Sequence, residues 1–258
     1  MDKQWLRDFL EEKYQQYNQK SFIETDPVQV PHMFSVAEDI EIAGFLTSAI
    51  SWGRRTTIIS NAIRLMKMMD FSPYEFTLHA TEHELKQLVD FKHRTFNSAD
   101  ITGFLLSLKT IFTEHGSLKL FFEKSYNTTG NLKETLILFR KVFVNGLMLQ
   151  RTHRHISDIS QNSSAKRLNL FIRWMVRNDK KGVDFGIWDK IPTSDLFIPL
   201  DVHTGNVARA LGLLGRNQND WKAVEELTAN LRAFDPDDPV KYDYALFGLG
   251  VFERFNTK

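Results

Sequence analysis

Apolar residues recur along this chain at spacings of three and four, the period that places one stripe on a helix. Residues 98–113 carry Ile101, Phe104, Leu105, Leu108 and Phe112 in that register, and Gly116 stands where such a helix would stop. Leu168, Phe171, Ile172 and Met175 repeat the pattern. The same reading predicts helices over 3–20, 37–51, from about 54 to 69, from Ser72-Pro73 onward, and over 82–91, 118–125, 132–147, 221–234 and 240–252. In the first of these, Trp5, Phe9, Leu10, Lys13 and Tyr17 are expected on one side. Asp26-Pro27 and Val30-Pro31 predict an extended connector, and Asn127-Thr128-Thr129-Gly130 a turn. Asp235-Pro236 ends one helix, and Asp238-Pro239 supplies a cap and a first-turn proline for the last. No segment alternates as a strand should. The fold class is therefore all-α, with roughly ten to twelve helices of ordinary length. Residues 177–197 form the longest irregular stretch, of a length that is often functional inside a compact domain.

Composition narrows the picture. A 258-residue chain with 42% hydrophobic residues and 21 Phe has the means for a large packed core. The absence of cysteine excludes disulfides, a thiolate nucleophile and cysteine-ligated zinc or iron–sulfur centres, and fits a cytoplasmic protein. No apolar run has membrane-spanning length and the first 19 residues are too charged for a signal peptide, so no membrane association is expected. Net charge is +1, so nucleic-acid binding would have to rest on local patches.

The chemistry concentrates between Gln161 and Arg216. Asn162, Ser163 and Ser164 form a polar turn suited to capping a helix, and Lys166 and Arg167 open that helix. Asp201 follows the extended run Ile198-Pro199-Leu200 and precedes Val207, Ala210, Leu211 and Leu214, at a helix N-terminus. Taken singly, such an Asp is usually a cap worth about 1 kcal/mol, and such a Lys is usually solvated. Together they offer one amine and one carboxylate at two helix mouths.

At these residues the chain resembles the helix-hairpin-helix DNA glycosylase superfamily, in which a hairpin element precedes a helix headed by a catalytic Asp. Ile198-Pro199-Leu200-Asp201-Val202-His203 is similar to the corresponding run of 8-oxoguanine DNA glycosylases, and Lys166 stands where bifunctional members carry their lysine. The separation of residue 166 from residue 201, 35 positions, is longer than in endonuclease III relatives and closer to the archaeal 8-oxoguanine glycosylase type. Ala165-Lys166-Arg167-Leu168-Asn169, Trp174-Met175-Val176-Arg177 and Asp238-Pro239-Val240-Lys241-Tyr242-Asp243 resemble an uncharacterised bacterial family related to that superfamily, over most of the chain. Asn162 and Ser164 occupy the places where the hairpin usually has Gly-x-Gly. Asn tolerates the left-handed backbone such a turn needs, and Ser is small.

The resemblance implies a two-lobed helical fold of that type: a central lobe at about 38–195 holding the hairpin near 156–176, a second lobe from 1–37 plus 199–258, and an active cleft between them. It implies a base-excision glycosylase, with or without a lyase step, acting on an oxidised purine in damaged duplex DNA without cofactor, metal or iron–sulfur cluster. Asp201 would stabilise the positive charge that develops on the sugar, and Lys166 would attack C1′ as a neutral amine. A free Lys titrates near ~10.4; the positive helix end and Arg167 both disfavour the ammonium form.

Further candidates surround the pair. Trp52, Arg54 and Arg55 lie at a junction of two predicted helices, where this superfamily fills the gap left by a flipped base; the plain alternative is a core Trp with two solvated arginines. Lys92-His93-Arg94 and Arg151-Thr152-His153-Arg154-His155 are basic clusters suited to backbone contacts. Asp243 and Phe247, four apart, are base-pocket candidates by analogy with the archaeal enzymes, as is His203 beside Asp201. Two rivals remain: a nucleic-acid-binding protein that keeps the fold without turnover, and a metal-dependent hydrolase using His153, His155, His203 and Asp201.

Overall fold

The computed structural model describes residues 2–255 and is all-α. Its helices are α1 (Lys3–Tyr17), α2 (Ala37–Ala49), α3 (Arg55–Met68), α4 (Pro73–His79), α5 (Glu82–Gln87), α6 (Ser98–His115), α7 (Leu118–Thr129), α8 (Leu132–Asn145), α9 (Lys166–Val176), α10 (Val202–Ala210), α11 (Trp221–Arg232) and α12 (Tyr242–Val251). One antiparallel hairpin, β1 (Lys92–His93) with β2 (Phe96–Asn97), interrupts them; two-residue strands are too short to leave an alternating signal in sequence. Among the described residues no helix is long and apolar enough to cross a membrane.

The chain divides into two units. One is Ile23–Ser157; the other runs from the N-terminus to Phe22 and resumes at Asp158. The boundary thus falls at 157 rather than at 195, and residues 158–176 belong with α10–α12. The reason is the apolar stripe of α9. Leu168, Phe171, Ile172 and Met175 are all buried, and Trp188 from the following loop packs edge-on against Phe171 at 5.4 Å. That contact ties 177–201 to α9.

In Ile23–Ser157 the expected extended connector is instead a run of 3-10 turns, including Pro27–Gln29 and Pro31–Met33. Proline's fixed φ suits the first position of a helical turn, so only Asp26 is extended, and its carboxylate caps Val28 N at 3.1 Å. The core is aromatic: Phe45 meets Phe104, Phe139 and Phe143 at 5.2–5.9 Å, and Phe139 meets Phe122 at 4.7 Å. From the almost wholly buried α2, two carboxylates cap other helices. Asp39 accepts Tyr74 N of α4 at 2.9 Å, and Glu41 accepts Leu118 N and Lys119 N of α7 at 2.9 and 3.2 Å. A buried carboxylate is satisfied there by the orphan N–H groups and positive end of a helix.

In the other unit, α1 buries Leu6, Leu10 and Tyr14, while Trp5 is half exposed and stacks on Phe9 on the outer side. The stripe therefore runs one residue away from the face anticipated. Helix α12 has no polar face, because α1 and α10 both pack on it. Gly248 admits the Tyr17 ring, which any Cβ there would overlap, and Gly250 admits His203 Cβ, 3.1 Å from where its own Cβ would stand. Asp238 does not cap this helix. A 3-10 turn, Pro239–Lys241, intervenes, and the Asp238 carboxylate turns to Arg177.

Candidate active site

A short 3-10 turn, Ile159–Gln161, leads into the polar turn 162–164, with Asp158 accepting Ser160 N at 3.1 Å. Asn162 adopts the left-handed conformation, φ 64°, that glycine would otherwise supply. Its carbonyl accepts Trp221 N at 3.1 Å, and its amide donates to Asp220 at 2.9 Å. No side chain of the polar turn caps α9. The N-cap is Ala165, itself left-handed at φ 48° and fully buried, and the hydroxyl of Ser163 accepts Ala165 N at 3.3 Å. A left-handed alanine costs about 1 kcal/mol; here it starts α9 at Lys166, so the Lys stands in the first turn. Ser164 contributes its carbonyl, which accepts the Asn169 amide at 3.2 Å.

Asp201 caps α10, as its place in the sequence suggested. Oδ1 accepts Thr204 N at 2.9 Å, and Asn219 donates to its carbonyl at 3.1 Å. Its free edge, Oδ2, lies 3.9 Å from Lys166 Nζ, an ion-pair distance too long for a direct hydrogen bond. The two side chains are 28% and 23% exposed, so the pair is reachable from solvent without being fully solvated.

Below them lies a layer of buried charge, of which sequence reasoning had singled out Asp243 but given no role to Arg173, Arg177 or Asp184. Asp243, in the first turn of α12, takes a long contact from the Thr204 hydroxyl at 3.5 Å and pairs with Arg173. Thr204 thereby touches both carboxylates, its N–H on Asp201 and its hydroxyl on Asp243. Burial pushes the Asp243 carboxyl up to about 7; Arg173 opposes the rise, and the negative charge of Asp201 adds to it. Arg173 also holds Asp184 at 3.3 Å and lies over the Tyr244 ring at 4.4 Å. One turn on, Arg177 is fully buried and holds Asp238, Asp184, Asp179 and the Tyr14 hydroxyl at 2.8–3.0 Å. Burial pulls both guanidiniums down, but the surrounding carboxylates outweigh it and hold them protonated. Beyond Asp243, the trace in sequence is Arg173 and Arg177, four apart at the end of α9, like charges that would repel on a solvated face.

The remaining candidates separate by unit. Arg167, half-buried beside Lys166, is lowered to about 10 by burial and stays a cation at neutral pH. His203 is exposed on α10. Phe247 packs edge-on against Phe22 and Phe252. In Ile23–Ser157, Trp52 is partly buried between His93, edge-on at 4.9 Å, and His155, stacked at 5.9 Å. Arg54 is exposed at the start of α3, and Arg55 donates to the Thr25 carbonyl at 3.3 Å. Among the described residues no three His, Asp or Glu side chains group as metal ligands would. His155 faces the buried Asp100 instead, at 3.6 Å.

The class defined by these features is an all-α protein with an amine and a carboxylate paired at two helix starts over a buried ionic layer. The chain belongs to the family described as "Protein of unknown function (DUF2400)", whose model matches residues 26–252. Compared with curated proteins and with solved structures, it shows no match in either.

Proposed function

We propose that this chain is a base-excision DNA glycosylase of helix-hairpin-helix type with an associated lyase step, acting on a damaged, oxidised purine. The observation that carries the reading is the 3.9 Å approach of Lys166 Nζ to Asp201 Oδ2 across 35 positions of sequence, with both groups partly exposed. An extruded nucleotide would place its C1′ against this pair. As the C1′–N bond weakens, Asp201 stabilises the positive charge on the sugar, and Lys166, once it has released its ammonium proton to solvent, forms the new bond to C1′ with the freed lone pair. The base departs with the bonding electrons and takes up a proton. The nitrogen then loses a proton and its lone pair expels O4′, which takes up a proton; the ring-opened Schiff base so formed loses its 2′ proton and expels the 3′ phosphate. Asp243, titrating near neutrality just below, changes the negative charge under the pair across the working pH range.

A second reading, a DNA-binding protein without turnover, is favoured by the hairpin. Its Asn162 side chain is tied to Asp220, whose carboxylate stands beside the turn that would receive a phosphate. Borohydride trapping on duplexes bearing 8-oxoguanine, other lesions or an abasic site, with base release assayed in parallel, separates the two. The glycosylase predicts a covalent adduct that Lys166→Gln abolishes, and base release reduced by on the order of 10²–10⁴-fold in Asp201→Asn. Binding with neither adduct nor base release favours the second reading. Loss of activity on chelation would instead point to a metal-dependent hydrolase.

A further inference from the structure

Three segments that are separate in sequence meet in the unit Ile23–Ser157, and each brings arginine to the same place. The first is the junction between α2 and α3, Trp52-Gly53-Arg54. The second is the β1–β2 hairpin with Arg94 in its turn. The third is the 3-10 turn Gln150–His155, which carries Arg154. The guanidinium of Arg94 lies against Gly53, with Nη1 3.0 Å from where a Cβ would stand. Arg154 Nη2 donates to the Thr95 carbonyl at 3.5 Å, beside the hairpin turn. His93 and His155 lock the assembly from below: His93 Nε2 donates to the Trp52 carbonyl at 3.1 Å, and both rings pack on the Trp52 indole.

Arg54, Arg94 and Arg154 are exposed. Neither Arg54 nor Arg94 has a carboxylate partner among the described residues. The acid carried by the neighbouring segment, Asp100, is fully buried and engaged by Arg151, Thr152 and His155. Its charge does not reach the surface. A second sign comes from the backbone. Arg94 sits at φ 55°, a conformation that favours Gly or Asn. Strain of this kind is tolerated where the side chain has a task.

We infer that this composite surface binds the sugar–phosphate backbone of a nucleic acid without reading its sequence. Planar guanidiniums fork onto phosphate oxygens, and arginines carried on backbone locked by His93 and His155 keep fixed positions, which suits a regular row of phosphates better than a fluid layer of headgroups. This rests on the base-excision reading for a nucleic acid as the partner, but not on its chemistry, since Lys166 and Asp201 belong to the other unit.

The test is fluorescence anisotropy with a labelled lesion-free 20-mer, as duplex and as single strand, titrated over a range of salt concentrations. The variant Arg54→Ala/Arg94→Gly/Arg154→Ala is expected to lower the salt slope of duplex binding by roughly 2–3, about 0.9 per lost phosphate contact. Arg94→Gly relieves the left-handed backbone, so its melting temperature holds or rises while affinity falls. A failed trapping experiment, with duplex binding that the triple variant weakens, counts against the glycosylase alone. The inference is overturned if the triple variant folds and binds with an unchanged slope. It is equally overturned if phosphatidylserine vesicles bind the surface and neither oligonucleotide does.

Discussion

The unit Ile23–Ser157 closes around rings, whereas the unit containing α9 closes around ions. In the first, Phe45, Phe104, Phe139 and Phe143 interlock, and its half-buried Asp39 and buried Glu41 are spent on helix starts. In the second, Arg173 and Arg177 run through the interior with Asp179, Asp184, Asp238 and Asp243 around them. An aromatic core is non-directional and tolerates small shifts. Guanidinium–carboxylate forks are directional, and their desolvation offsets much of their attraction, so what they add is specification of geometry more than stability. The ionic unit is also the one that holds the Lys166–Asp201 pair, which demands fixed geometry.

The sharpest way to break this comparison is to remove one member from each interior. Phe139→Ala opens a cavity and is expected to cost about 3–5 kcal/mol. Arg173→Ala leaves Asp243 buried without its cation and Asp184 with Arg177 alone, and is expected to cost a similar ~3–5 kcal/mol. Urea denaturation at pH 5 and pH 7.5 tells them apart. The penalty in Phe139→Ala should be the same at both, whereas that in Arg173→Ala should grow with pH as the stranded carboxyls ionise.

Next in size is the pH dependence of the ionic unit itself. Asp243 has a folded pKa of about 7, above the unfolded value of ~3.9. Between those two values the native state keeps a proton that the unfolded chain has released. Stability therefore falls as pH rises from ~4 to about 7 and levels off above. Asp238, raised by burial, contributes with the same sign. Asp243→Asn should flatten the curve in that window; an unaltered slope would mean that Asp243 does not hold the proton.

Smaller effects probe the glycines. Gly248→Ala drives a methyl into the Tyr17 ring between α1 and α12 and is expected to cost about 1–3 kcal/mol. Gly130→Ala, at φ 74° at the end of α7 with open space around it, is strained only through its backbone, at about 1 kcal/mol. Thermal melts in the reverse order would show that α12 does not approach α1 as closely as described.

Most helices were legible because their information is local. The stripe of α9, the Asp201 cap of α10 and the Gly116 stop of α6 follow from residues three or four apart. Errors arose where a distant partner decides. Trp5 and Phe9 look like the inner face of α1 until α12 selects Leu6, Leu10 and Tyr14. Asp238-Pro239 reads as a cap until Arg177 takes the carboxylate. The polar turn 162–164 reads as a cap for α9, yet Asn162 is turned toward Asp220 and Ala165 accepts the strained position.

Periodicity and capping chemistry alone determined that this chain is helical and that Lys166 and Asp201 each open a helix. The 3.9 Å between them, the ionic layer beneath, and the meeting of Arg54, Arg94 and Arg154 around Trp52 belong to the tertiary structure. The reason is physical. A helix is coded by neighbours one turn apart, whereas the approach of two charges dozens of residues apart is set by how the helices carrying them pack, and no local spacing records that.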